Sequence, residues 1–174
     1  MMGSEGGMVG LSHSRPDWAW GVDVRTGLIA VGAVSSDGEV LAWSVDTGVV
    51  GRQQGAQRLA GIRELLVARL ALVEGEFRPG AVVVENPLIV RPDFRLLTLV
   101  GVVMESFFSV LRCPVLELTS GEWKRDVVGH GGAKKPAVLE RARQIGYRGD
   151  LQDEADAVCM AVAALALLKG ARIV

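Results

Sequence analysis

Four acidic side chains stand where a carboxylate is costly. Asp23 interrupts the apolar run "WAWGVDV", Glu85 ends "AVVVE" just before Asn86-Pro87, and Asp153 and Asp156 open "DEADAVCMAVAALALL". Positions three apart on a helix share a face, so Asp153 and Asp156 point the same way. A carboxylate inside an apolar strand loses hydration and has to be paired, hydrogen-bonded or metal-bound. Three of the acids also have an ordinary reading: Asp153 as a helix N-cap, Asp156 as a first-turn carboxylate favoured by the helix dipole, Glu85 as a solvated turn residue. Brought together by adjacent strands and a helix laid against their ends, the four repel, and either one takes up a proton or cations neutralise them. Oxygen donors without His or Cys at ligand spacing suit Mg²⁺ or Mn²⁺ rather than zinc. Two such ions, about 3.5–4 Å apart, are an apparatus for in-line displacement at a phosphodiester, one activating water and the other stabilising the leaving oxygen.

The elements that must position these acids are readable from period and punctuation. "WAWGVDV", "LIAVGAV" and "EVLAWSV" are short apolar runs joined by turn-prone "RTG" and by Asp37-Gly38, which predicts an antiparallel three-stranded meander. From Gln57 to Val73 the apolar residues Leu59, Ile62, Leu66, Leu70 and Val73 recur every three or four positions, the pattern of an amphipathic helix. "AVVVE" has no polar face and reads as a parallel strand covered on both sides. Phe94 to Leu111 is a helix apolar on nearly all sides, "CPVLELT" a further strand, and "SGEWKRDVVGHGG" a loop. A helix opens near Ala133 and runs to about Ile145 with Pro136 in its first turn, and a last helix spans Asp153 to Leu168. The sum is an α/β protein with a mixed central sheet flanked by helices, one domain over residues 17–174.

Length, at 174 residues, and 49% hydrophobic content permit a substantial core and exclude a wholly disordered chain. Residues 1–16, rich in Gly and Ser, read as a flexible tail without the features of a secretory signal. The most apolar interior run, Leu96 to Met104, is too short for the roughly 20 residues of a membrane span. Cys113 and Cys159 lack metal-ligand or redox spacing and read as reduced core thiols, which points to the cytoplasm. The net charge of −1 is unevenly placed. Between Gly121 and Arg148, seven basic residues face three acidic ones, a local +4 against −5 for the remainder. Such a segment is either a polyanion footprint or a solvated helix face.

The order of these acids, with "SGEWKRDVVGHGGAKKPAVLERAR" before the last pair, resembles the RuvC family of Holliday-junction resolvases over about Trp18 to Leu168. Lys124, Val128, Gly129, Gly131, Ala133 and Lys135, followed by Asp153 and Asp156, match that family's pattern. The resemblance implies the ribonuclease H-like fold. It implies that Asp23, Glu85, Asp153 and Asp156 are the catalytic, metal-binding carboxylates, holding two Mg²⁺ ions per site with Mn²⁺ as a substitute. It also implies a homodimer that resolves four-way junctions by paired nicks, leaving 5′-phosphate and 3′-hydroxyl ends. Lys124 and Lys135 match lysines expected to meet phosphates, with Arg125 and Lys134 beside them on the DNA-binding segment, and branch-migration machinery is a possible partner. The apolar helix from Phe94 corresponds to the family's dimer contact, although the core of one domain would hide it equally well.

Two departures bear on detail. Where the family follows its first Asp with Pro-Gly-Ser, this chain has Val24-Arg25-Thr26 before Gly27. Where the family often places an aromatic wedge after its second acid, this chain offers Leu88, with Phe94 as a substitute. His130, in the glycine loop, reads as a surface hydrogen-bonder. Two other functions fit the same scaffold: a less selective ribonuclease H-like nuclease acting on branched DNA or RNA–DNA hybrids, and a non-catalytic nucleic-acid-binding relative.

Overall fold

The computed structural model describes residues 17–50, 54–87 and 93–170. Strands β1 (Trp18–Val24), β2 (Leu28–Ser35) and β3 (Val40–Asp46) form the expected antiparallel meander, followed by a single 3₁₀ turn over Thr47–Val50. Helix α1 (Gly55–Phe77) leads to β4 (Pro79–Asn86), α2 (Phe94–Leu111) to β5 (Val115–Thr119), and α3 (Ser120–Val128), α4 (Lys135–Ile145) and α5 (Gln152–Leu168) follow among the described residues. The sheet order is β3-β2-β1-β4-β5, with β4 parallel to both β1 and β5. The mixed sheet and its helical layers are those anticipated from the sequence.

Strand alternation distributes the core to two faces. Trp18, Trp20, Val22 and Val24 of β1, with Val82 and Val84 of β4, pack against Ile62, Leu66 and Leu70 of α1 and the buried stripe of α2. Ala19 of β1, Ala30 of β2 and Val83 of β4 pack on the opposite face, against α3, α4 and α5. Asp23 and Glu85 have the parity of this second face.

That face is built for close approach. Gly21 and Gly32 are directly paired across β1 and β2. A Cβ on Gly21 would collide with the Ala157 carbonyl, and one on Gly32 with the backbone of Val158. Helix α5 answers with Ala155, Ala157, Ala161, Ala163 and Ala164, all buried. Small residues on both sides let its backbone lie directly on the sheet, and the acids in its first turns are carried to the strand ends.

One expectation fails. "SGEWKRDVV" is helix α3, not a loop, and only the segment after Gly129 is irregular. The cause is a capping box: Thr119 Oγ1 accepts from the Glu122 N–H at 3.3 Å while Glu122 Oε2 accepts from the Thr119 N–H at 2.7 Å. Trp123 and Val127, four apart, then bury one face. Helix α4 begins at Lys135 rather than Ala133, and α5 begins one residue earlier than expected, with Leu151 at its N-cap. Asp153 is therefore inside the helix and is not its cap.

Contrary to the expectation from the shorter run Leu96 to Met104, the whole of helix α2 is long and apolar enough, by length and composition alone, to cross a membrane. It is a half-buried helix here: Leu99, Val100, Val103, Phe107 and Leu111 enter the core, while Phe94, Leu97 and Phe108 stand exposed. Its N-terminus is capped by Asp93, whose side chain accepts from the Arg95 and Leu96 amides.

Candidate functional site

The paired stretch of β1 and β4 ends at Val22 and Val84, so Asp23 and Glu85 are the next residues on two parallel neighbours. Both occur at the C-terminal edge of the sheet, where crevices of open α/β proteins form. Asp153 and Asp156 arrive from the first turns of α5, which packs on β1, β2 and β4. A cleft of about 300 Å³ opens there, and its lining includes Asp23, Arg25, Glu85, Lys124, Lys135 and Asp156. Asp153 is not part of that lining and joins the cluster through Arg25.

Three side chains serve the four acids, with Arg25 shared between Asp23 and Asp153. Arg25 Nε lies 3.6 Å from Asp23 Oδ2, and Arg25 Nη2 lies 2.6 Å from Asp153 Oδ1. The indole N–H of Trp123 donates to Glu85 Oε2 at 3.0 Å, and the Gln152 side-chain amide donates to Asp156 Oδ1 at 2.7 Å. Among the described residues, no three His, Cys, Asp or Glu side chains stand together in an arrangement that could hold a metal ion as the chain stands. The oxygens are turned to these internal donors instead.

The electrostatics record a surplus of negative charge. Asp23, 8% exposed, has its carboxyl pushed up from 3.8 to about 7, first by burial, then by Glu85, with Asp153 and Asp156 adding and Arg25 opposing. Burial also raises Glu85, against the Trp123 hydrogen bond and the Lys124 charge, with Asp156 adding to the rise. Asp156 is raised by burial and by Asp153, while Gln152, Lys124 and Arg25 oppose. Buried carboxylates that raise one another form a set deficient in positive charge, and a divalent cation would supply what one guanidinium and one ammonium do not. The donor set, all carboxylate oxygen, fits a hard ion such as Mg²⁺ or Mn²⁺.

The basic residues divide. Lys124, on α3, lies with its ammonium 5.1 Å from the Trp123 ring centroid, and both it and Lys135, the first residue of α4, line the cleft. Lys134, the N-cap of α4, and Arg125 are exposed on the same two elements without lining it. His130 is exposed in the turn after α3, where its carbonyl accepts from the Ala133 amide, and it does not line the cleft. Leu88 falls outside the described residues. Phe94 opens α2 with 75% of its surface exposed.

Sequence reasoning missed three partners: Arg25, Trp123 and Gln152. For Trp123 a signal existed, since Thr119-x-x-Glu122 is a capping-box pattern that would have turned the supposed loop into a helix with Trp123 on its inner face. For Arg25 the signal was strand parity, because it lies two residues beyond Asp23 on the same face.

Fold and site together define an α/β protein with the ribonuclease H-like architecture, carrying an acidic cluster at the C-terminal edge of its sheet. No family model matches the sequence, and no curated protein matches it. Solved structures do. Thermus thermophilus RuvC superposes with a TM-score of 0.69 at 25% identity, over 88% of this chain and 96% of that one. T. thermophilus RuvC in complex with Holliday junction substrate gives 0.68 at 25% identity, over 90% and 98%. The yeast mitochondrial Holliday junction resolvase Ydc2 shares the fold, at 0.55 and 14% identity over 87% and 80%. The chain is RuvC-like, as the sequence led one to expect.

Proposed function

We propose that the protein is a divalent-metal-dependent endodeoxyribonuclease that resolves four-way DNA junctions. The observation that carries the reading is the convergence of Asp23, Glu85, Asp153 and Asp156 on one sheet edge, in a chain that superposes along nearly its whole length on a RuvC bound to a Holliday junction. In this reading the four carboxylates hold Mg²⁺, or Mn²⁺ in its place, and two such ions when bound activate water and stabilise the leaving 3′ oxygen. The chain's own part is to position. The Trp123 N–H orients Glu85 and the Gln152 amide orients Asp156 at the cleft.

Lys124 and Lys135 approach the phosphate from the cleft wall, and Arg125 and Lys134 continue the positive surface outward. Phosphate contacts of this kind supply affinity without base readout. Paired nicks require two sites, and the exposed Phe94, Leu97 and Phe108 on α2 offer an apolar face for a second copy. A sedimentation series would register that dimer as a concentration-dependent shift, reduced by Phe108→Glu.

One gel tests the reading. Labelled four-way junction, fork, flap, RNA–DNA hybrid and linear duplex are incubated with the protein in Mg²⁺. Symmetric nicking of the junction in preference to the others is expected. Equal cutting of fork, flap and hybrid would make it a less selective nuclease, and an intact junction in Mn²⁺ at stoichiometric protein would overturn the enzymatic reading.

A further inference from the structure

We propose that Arg25 is a built-in counter-cation: its guanidinium fills the place between Asp23 and Asp153 and has to leave before a divalent ion binds there, so that an arginine sets this chain's metal affinity. The proposal rests on the reading of the four carboxylates as a metal centre.

The position of Arg25 is dictated by the backbone. Arg25 and Leu28 exchange main-chain hydrogen bonds, Arg25 N to Leu28 O at 2.8 Å and Leu28 N to Arg25 O at 3.3 Å, closing a two-residue hairpin over Thr26 and Gly27. The Thr26 carbonyl is held from outside by Arg58 Nη2 at 2.7 Å and Thr47 Oγ1 at 3.0 Å. Arg25 continues the alternation of β1 and so emerges on Asp23's face, two residues on. Its fork then reaches both acids, 3.6 Å to Asp23 and 2.6 Å to Asp153. Ionised carboxylates this buried have to be compensated, and among the described residues Arg25 is the cation paired with these two.

Exposure indicates which partner moves. The Arg25 side chain is 47% exposed, against 11% for Asp23 and 15% for Asp153. The acids are fixed in the interior, while the arginine approaches from solvent and can return to it by rotating its own side chain. A compact divalent ion concentrates twice the charge on the same oxygens, so the exchange favours the ion once it is present at sufficient concentration. At low metal the arginine keeps the carboxylates apart from adventitious cations and offsets their repulsion.

The test is Mn²⁺ binding to the intact chain, read by the electron paramagnetic resonance signal of free Mn²⁺ without DNA, for wild type, Arg25→Gln and Arg25→Lys. Arg25→Gln is expected to bind about tenfold more tightly than wild type. Arg25→Lys, which keeps the charge but loses the fork, is expected to fall between, and it stands in for Arg25→Gln should that variant not fold. Wild type binding Mn²⁺ with both variants equal to it or weaker would overturn the role of Arg25 and leave the metal centre standing. No Mn²⁺ binding by wild type or either variant would overturn the metal centre and this inference with it.

Discussion

The buried indole of Trp123 donates its N–H to Glu85 across 38 residues of sequence, tying α3 to the end of β4. The bond favours the ionised carboxylate, in opposition to the burial that raises its pKa. Trp123→Phe keeps an aromatic in the core but removes the donor. Glu85 should then titrate still higher, and cleavage should need a higher pH, with the acidic limb of the pH–rate profile displaced upward. Loss of the buried bond and of part of the ring should cost about 1–3 kcal/mol in a urea melt. A profile that falls in height without moving along the pH axis would assign Trp123 to packing alone.

Asp23 makes stability depend on pH in the metal-free protein. Its pKa is 3.8 as the unperturbed group and about 7 in the fold, so between these values the folded chain holds a proton that the unfolded chain has released. Stability from this group is therefore lost as pH rises from about 4 to 7 and is flat on either side. Glu85 and Asp156 are raised as well and act in the same direction. The full effect of Asp23 is about 4 kcal/mol at roughly 1.4 kcal/mol per pH unit. Melts in chelator should show the midpoint falling from pH 5 to about pH 7 and levelling off above it, and Asp23→Asn should be the more stable protein at pH 8. Under the proposed metal centre, Mg²⁺ should flatten the wild-type curve. An Asp23→Asn curve as steep as wild type would show that the slope comes from elsewhere.

The distance between α5 and the sheet is set by Gly21 and Gly32. A methyl group at Gly21 meets the Ala157 carbonyl and the Ala161 amide, backbone atoms that cannot rotate away. Gly21→Ala should cost about 1–3 kcal/mol or more as overpacking and push the first turns of α5 off the strand ends. Activity should fall further than stability explains, because Asp153 and Asp156 travel with the helix. Gly27→Ala is the control: that residue faces open space at the hairpin and should be nearly neutral. Chemical denaturation of both variants, alongside cleavage at a temperature where each is folded, measures the two effects separately.

The fold was legible because its elements obey simple periods. Alternating and unbroken apolar runs mark the strands, and the spacing of Leu59, Ile62, Leu66 and Leu70 marks α1. The acids were legible for a related reason, since Asp23 stands out only against the apolar strand around it. What escaped was pairwise and nonlocal. That Gln152 would turn to Asp156, or Trp123 to Glu85, depends on side-chain directions that no window of sequence contains. The misread stretch, Ser120 to Val128, has few apolar residues and so little periodic signal. Its helix is fixed by the Thr119–Glu122 cap and by the burial of a single tryptophan, a local rule and a tertiary contact in place of a repeating pattern.

Affinity and chemistry should separate between Lys135 and Asp156, although both line the same cleft. Lys135 opens α4 at the solvent side and, in the proposed reading, meets phosphate. Lys135→Ala should weaken junction binding uniformly across sequences and reduce the slope of log affinity against log salt by about one, as expected for one lost phosphate contact. Asp156 is half-buried, bonded to Gln152, and carries no attraction for a polyanion. Asp156→Asn keeps that side chain's shape while removing the charge a cation would need, so binding in chelator should be retained or slightly strengthened and cleavage in Mg²⁺ lost by a factor of about 10² or more. Filter binding over a salt series and single-turnover cleavage distinguish the two. If Asp156→Asn abolished binding with the fold intact, its carboxylate would belong to the DNA surface, and the assignment of chemistry to α5 would have to be abandoned.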